Sequence, residues 1–128
     1  MNYLNFYIGN EMYCIDASVV LNISELPKIT TIPQMPYYIV GATFFRDGII
    51  SVIDGRKRLK IDSDVTNPNL IVFEKDDKKY GLIVDKVDDM IECKSEMDTK
   101  LENVFISGII KHNDNFIMVL DIDKIVDY

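Results

Sequence analysis

Displaced by 67 residues and laid over itself without gaps, this chain matches: Phe6 meets Phe73, Tyr13 meets Tyr80, Val20 meets Val87 and Glu25 meets Glu92. Ile39 and Gly41 meet Ile106 and Gly108, and Asp47, Ile50, Val52, Asp54 and Lys57 meet Asp114, Ile117, Val119, Asp121 and Lys124. These eleven identities span about 60 positions, where roughly 4 are expected from average residue frequencies. Two copies at so long a period do not make a solenoid, which stacks three or more short units. They predict two similar lobes within a single domain over 1–128, one at about 3–61 and the other at about 70–128. The stretch Asp62-Ser63-Asp64-Val65-Thr66-Asn67-Pro68-Asn69 is polar and turn-rich, and reads as the connector.

Each copy carries the same run of short apolar segments. Leu4–Ile8, a Gly9-Asn10 turn and Met12–Ile15 read as a hairpin, echoed by Leu70–Phe73, a Lys75-Asp76-Asp77 turn and Tyr80–Val84. Val19–Ile23 and Val87–Ile91 supply the next strand of each copy. A second hairpin follows, Ile39–Phe45 with Ile49–Ile53, echoed by Gly108–Ile110 with Phe116–Leu120. Pro27, Pro33 and Pro36 make the intervening stretch irregular. Short strands with regular turn signals predict an all-β protein of two small five-stranded barrels. Helix signals occur only at Asp54–Leu59 and Asp121–Tyr128, each opened by an Asp able to cap the first turn. The second is expected to be the better helix, because Ile122, Ile125 and Val126 share a face.

Composition narrows the function. A chain of 128 residues, 48% apolar and 27% charged, can bury a core. Its net charge of -7 argues against a phosphate-backbone or anionic-membrane binder. Arg56-Lys57-Arg58 with Lys60, and Lys78-Lys79, are read as solvated rims rather than nucleic-acid patches. No apolar run approaches the roughly 20 residues that cross a bilayer, and the start lacks a signal-peptide pattern. A cytoplasmic protein is expected, and Cys14 and Cys93, far apart in sequence, are expected to be reduced thiols.

Chemistry is hard to place. The single histidine, His112, falls in a hairpin turn. Neither GxGxxG nor a P-loop occurs. Asp54 and Asp121 end matching strands. Such a pair can work as acid and base when their pKa values are split, but capping the following turn is the plainer role. Asp62-Ser63-Asp64 opens like a calcium loop, yet lacks the glycine and glutamate such a loop needs. No cofactor and no metal are expected, and the chain is read as a non-enzyme acting through surfaces. A small hydrolase or metal-dependent enzyme using Asp54 and Asp121 is the competing class.

Four stretches carry a family resemblance. They are Leu4-Asn5-Phe6 with Tyr13-Cys14-Ile15-Asp16 and Val19-Val20; Ile29-Thr30-Thr31-Ile32-Pro33 with Tyr38-Ile39-Val40-Gly41; Phe44 through Asp54; and Gly81 through Val87 with Gly108 and Leu120 through Ile125. In that order the chain resembles the CheW coupling proteins of bacterial chemotaxis. The resemblance implies two five-stranded barrels around a shared apolar groove and a short C-terminal helix. It also implies a scaffold bridging the cytoplasmic tip of methyl-accepting chemoreceptors and the regulatory domain of a CheA-type histidine kinase, a domain of the same fold that can pair lobe to lobe. A CheW-like regulatory module of a divergent kinase or other signalling system is the alternative. Met1 directly before the first strand, and the lack of receiver or kinase motifs, favour a stand-alone protein. By position, Leu4, Val20 and Val87 would line the groove, with plain core packing as the competing role. Arg46 would meet a partner carboxylate or fix its hairpin tip. Phe44, Phe45, Asp47 and Ser51 depart from the family's usual residues there.

Overall fold

The computed structural model describes residues 1–62, 64, 67–93 and 103–127. Among the described residues ten strands form: β1 (Asn2–Ile8), β2 (Glu11–Asp16), β3 (Val20–Glu25), β4 (Ile39–Phe45), β5 (Gly48–Asp54), β6 (Asn69–Lys75), β7 (Lys78–Val84), β8 (Lys86–Glu92), β9 (Ile106–His112) and β10 (Asn115–Leu120). They make two five-stranded sheets, ordered β8-β1-β2-β10-β9 and β3-β6-β7-β5-β4. Each sheet curls around a small core of its own. The edge strands of each are not joined to one another, so the expected barrels are barrel-like rather than closed ladders.

The repeat is reproduced at the level of register. Phe6 pairs with Tyr13 and Phe73 with Tyr80. Tyr13 lies parallel to Met118 and Tyr80 to Ser51, both 67 residues from their counterparts. Gly41 faces Val52 and Gly108 faces Val119, each beside a bulge. One expectation is corrected: the lobes do not run over 3–61 and 70–128. The first sheet joins β1 and β2 of the first half to β8, β9 and β10 of the second, and the second sheet joins β3, β4 and β5 of the first half to β6 and β7 of the second. The links that carry the chain between sheets are short. Asp16, accepting from the Ser18 amide (2.9 Å), caps a three-residue 3-10 turn that turns β2 out of the first sheet into β3 of the second. Between β7 of the second sheet and β8 of the first the link is Asp85 alone, whose carboxylate accepts from the Gly9 amide (3.1 Å).

Three cores follow from the alternation of side chains along the strands. Tyr3, Cys14, Ile91, Ile110, Ile117 and Val119 fill the first lobe. Ile50, Val52, Leu70, Val72 and Ile83 fill the second. The largest cluster lies in the seam between the sheets, where Leu4, Phe6, Tyr13 and Ile15 of one meet Ile53, Ile71, Phe73 and Leu82 of the other. Phe6 and Phe73, counterparts in the repeat, are both fully buried there.

Both capping expectations hold. Asp54 accepts from the Arg56 amide (3.0 Å) and starts α1 (Gly55–Leu59). Asp121 accepts from the Asp123 amide (3.1 Å) and starts α2 (Ile122–Ile125). The relative lengths come out reversed. α1 is the longer, ended by Lys60 in the left-handed conformation, whereas α2 spans four residues. Tyr128, part of the expected second helix, and Ser63, Val65 and Thr66 of the connector lie outside the described residues.

Candidate functional site

A seam between two sheets can serve as a site only where its own side chains leave it open. Along β1, Leu4 pairs with Met90 and Phe6 with Val87. Along β6, Ile71 pairs with Ile23 and Phe73 with Val20. Directly paired residues share a face of a sheet, so Val87, Met90, Val20 and Ile23 all lie on the seam side. They belong to β8 and β3, the edge strands of the two sheets. The Asn69 carboxamide ties these edges together, donating to the Ser24 carbonyl (3.4 Å) on β3 and accepting from the Val87 amide (3.2 Å) on β8.

The rim therefore carries four aliphatic side chains in two repeat-related pairs. Val20 and Val87 are half-buried against the seam core. Ile23 and Met90, also 67 residues apart, are 41% and 58% exposed. Leu4 is 2% exposed and lies beneath them as core. Of the three residues expected to line a groove, Val20 and Val87 lie half-buried on the rim and Leu4 is buried beneath it. Ile23 and Met90 escaped sequence reading because they are not identical, although their spacing marks them as counterparts.

Arg46 lies elsewhere. It occupies the tip of the β4–β5 hairpin with φ of 57°. Its guanidinium stands 4.7 Å from the centre of the Phe45 ring. Behind it, Phe44 and Ile49 are paired across the hairpin and are 81% and 67% exposed. With Lys28, Thr30, Ile32, Ala42 and Thr43 they line an apolar cleft of about 430 Å³. This is a second surface, and Phe44, one of the residues that depart from the family pattern, lines it. Arg46 and Lys79 lie at its edge together with Asp47 and Asp77, so the apolar patch has a border of mixed charge.

The remaining chemistry is structural. Asp54 and Asp121 are spent as caps. His112 lies in the β9–β10 hairpin, 3.3 Å from the Asn113 side-chain nitrogen. Cys14 is buried and Cys93 half-buried, and neither is joined in a disulfide. Among the described residues no cluster of three or more metal-ligating side chains occurs, and no helix is long and apolar enough to cross a membrane. The calcium-like start at Asp62 involves Ser63, outside the described residues.

One carboxylate is perturbed. Asp85, in the β7–β8 link, accepts from the Gly9 amide (3.1 Å) and stands 3.9 Å from Arg56. Burial raises its pKa above the ordinary carboxylate range, against the lowering effects of Gly9 and Arg56, with Asp54 adding to the rise. A carboxyl group whose folded pKa is raised costs stability as pH climbs from its unfolded pKa through the folded one. Asp85→Asn keeps an acceptor for Gly9 without the charge. The variant is expected to unfold at higher temperature than the parent at pH 7. The difference should vanish below the ordinary aspartate range, as thermal melts at pH 7 and pH 3 would read.

Comparison with known proteins agrees with this architecture. The CheW-like domain family matches residues 2–128. The chain is 26% identical over 135 residues to chemotaxis protein CheW of Treponema pallidum (strain Nichols), covering 95% of this chain and 79% of that protein. It is 28% identical over 131 residues to the chemotaxis protein CheW of Bacillus subtilis (strain 168), covering 95% and 84%. The crystal structure of the scaffolding protein TtCheW from Thermoanaerobacter tengcongensis superposes with a TM-score of 0.90 at 29% identity, over 99% of this chain and 88% of that one.

Proposed function

The chain belongs to the CheW-like domain family, and from that membership we propose that it is a non-catalytic scaffold coupling chemoreceptors to a CheA-type histidine kinase. The observation that carries this reading is the β3–β8 rim. Val20, Ile23, Val87 and Met90 form a symmetric apolar strip above a seam already packed beneath them. Such a strip suits an amphipathic helical hairpin, the form of a receptor's cytoplasmic tip, laid lengthwise between the two edges. Each aliphatic side chain fully covered by the partner contributes roughly 1.5–3 kcal/mol before ordering costs. The hairpin face of Phe44 and Ile49, with Arg46 at its tip, is the second contact. It suits lobe-to-lobe pairing with the kinase's regulatory domain on the cytoplasmic side of the membrane.

The two surfaces separate experimentally. A carboxylate introduced under a helix is desolvated without a partner. Val20→Asp and Val87→Asp, singly and together, are expected to weaken co-sedimentation with receptor signalling fragments at least tenfold while thermal unfolding stays cooperative. Ile49→Asp should spare receptor binding and weaken binding of the kinase regulatory domain by a similar factor. A folded double variant that binds receptor as the parent does would remove the groove assignment.

A further inference from the structure

The two edges of the seam are built differently: one carries the apolar rim, bridged by Asn69, and the other an asymmetric lock. The rim edge lies between β3 and β8. The opposite edges are β4 and β9, and beside them stand Tyr38 and Phe105, which are counterparts in the repeat. Their carbonyls accept equivalent bonds, from the amides of Asp54 and Asp121, both at 2.8 Å. Between the two rings sits one guanidinium. Arg58 lies 4.0 Å from the centre of Tyr38 and 4.8 Å from that of Phe105. The residue that corresponds to Arg58 in the other half is Ile125, a fully buried aliphatic. Where the duplication would place two identical groups near its axis, the chain therefore has one cation and one apolar plug, and they touch. Arg58 donates from Nε to the Ile125 carbonyl (3.0 Å) and from Nη2 to the carbonyls of Lys124 (2.9 Å) and Asp127 (2.8 Å).

These bonds join the two sheets. Arg58 is on α1, which continues β5 of the second sheet, and its acceptors are on and after α2, which continues β10 of the first. A second cation acts in the same sense: Lys75, at the end of β6, lies 2.7 Å from Asp123 of α2. The carbonyls at a helix end favour a cation. A planar fork can also serve several acceptors while stacked between rings, which a lysine ammonium cannot.

We infer that Arg58 is a hinge pin that holds the two sheets at a fixed angle and so sets the width of the groove on the far edge. This rests on the reading of the β3–β8 rim as the receptor site. Arg58 does not touch the receptor. It is a positioning residue, acting across the seam through Tyr38, Phe105 and α2. With the pin removed, the sheets rock about the seam core and the rim samples widths at which Val20 and Val87 cannot both meet one helical hairpin. Conformations outside the binding-competent width reduce affinity in proportion to their population.

The test measures the groove directly. Asn22 on β3 and Asp89 on β8 are exposed counterparts 67 residues apart. Spin labels on Asn22→Cys and Asp89→Cys, in Cys93→Ser protein, report the separation of the two edges. In Arg58→Met the width of the distance distribution is expected at least to double, and affinity for a purified receptor signalling fragment to fall at least tenfold. Binding of the kinase regulatory domain should stay within twofold, which general destabilisation would not spare. Arg58→Lys should fall between parent and Arg58→Met in both the distance and affinity measurements. Should Arg58→Met fail to fold, Arg58→Lys is judged by the same criteria against the parent. A folded variant with an unchanged distance distribution overturns the hinge, as does a broadened one with parental receptor affinity. If Val20→Asp and Val87→Asp leave receptor binding intact, it is the groove reading that fails, and the distance measurement still decides whether Arg58 fixes the angle.

Discussion

Residues 1–62 expressed alone are expected to show no cooperative unfolding transition as a monomer, and residues 67–128 likewise, whereas an equimolar mixture of the two should regain the β-sheet signal. The reason is the exchange of strands. In the first half, β1 and β2 lack β8, β9 and β10, while β3, β4 and β5 lack β6 and β7. Neither lobe core survives the cut. Cys14 loses Ile91, Ile110, Ile117 and Val119, and Val52 loses Leu70, Val72 and Ile83. The seam is divided too, since Phe6 and Phe73 fall on different fragments. A chain of about 60 residues is marginal even with its own complete core, and here each fragment would leave whole strand edges unpaired. Far-ultraviolet circular dichroism and sedimentation of each fragment, then of the mixture, read the outcome. A folded, monomeric 1–62 fragment would show that pairing within one half suffices, and the exchanged topology would be wrong.

The second large effect is expected at one glycine. Gly41 has φ of 152° in β4, and the segment before the strand passes directly over it. A Cβ built there would lie 2.1 Å from the Thr30 carbonyl oxygen and 2.8 Å from Ile29 Cγ2. Thr30 cannot retreat cheaply. Its amide donates to the Ala42 carbonyl (2.9 Å) and its carbonyl accepts from the Ala42 amide (2.8 Å), the bridge that fastens this irregular segment to the sheet. Gly41→Ala therefore combines a backbone conformation foreign to side-chain-bearing residues, about 1–3 kcal/mol, with disruption of two hydrogen bonds, about 0.5–1.5 kcal/mol each. A total of about 2–6 kcal/mol is a large share of an ordinary domain's stability. A fall in melting temperature on the order of 10–20 °C should follow. Gly48→Ala is the control, because its Cβ would meet nothing within 4 Å. It should change stability by no more than about 0.5 kcal/mol. Equal effects at the two sites would mean that the segment carrying Thr30 moves aside freely.

Much of this molecule was legible before any coordinates. Alternation of apolar residues placed all ten strands, turn residues placed the hairpins, and Asp54 and Asp121 marked the two helix starts. These features are local, and the side chains that decide them are neighbours in sequence. The candidate site was legible only in part. Val20 and Val87 could be found as counterparts, yet Leu4, which shares their apolar character, turned out to be core. Strand faces follow from alternation, but exposure depends on what lies across the sheet. Ile23 and Met90 reach the surface because β3 and β8 have no strand beyond them.

The chain's sequence by itself determined the duplication, the strand set and the register within each hairpin. It could not decide which copy of β1 receives β3. The faces of β1 and β6 are matched residue for residue, Leu4 with Ile71 and Phe6 with Phe73, so either pairing buries equivalent surface. Only the tertiary structure chose, through a three-residue turn after Asp16 that carries the chain from β2 in one sheet to β3 in the other. That choice also brought Arg58 against the end of α2, where its own repeat counterpart is an isoleucine.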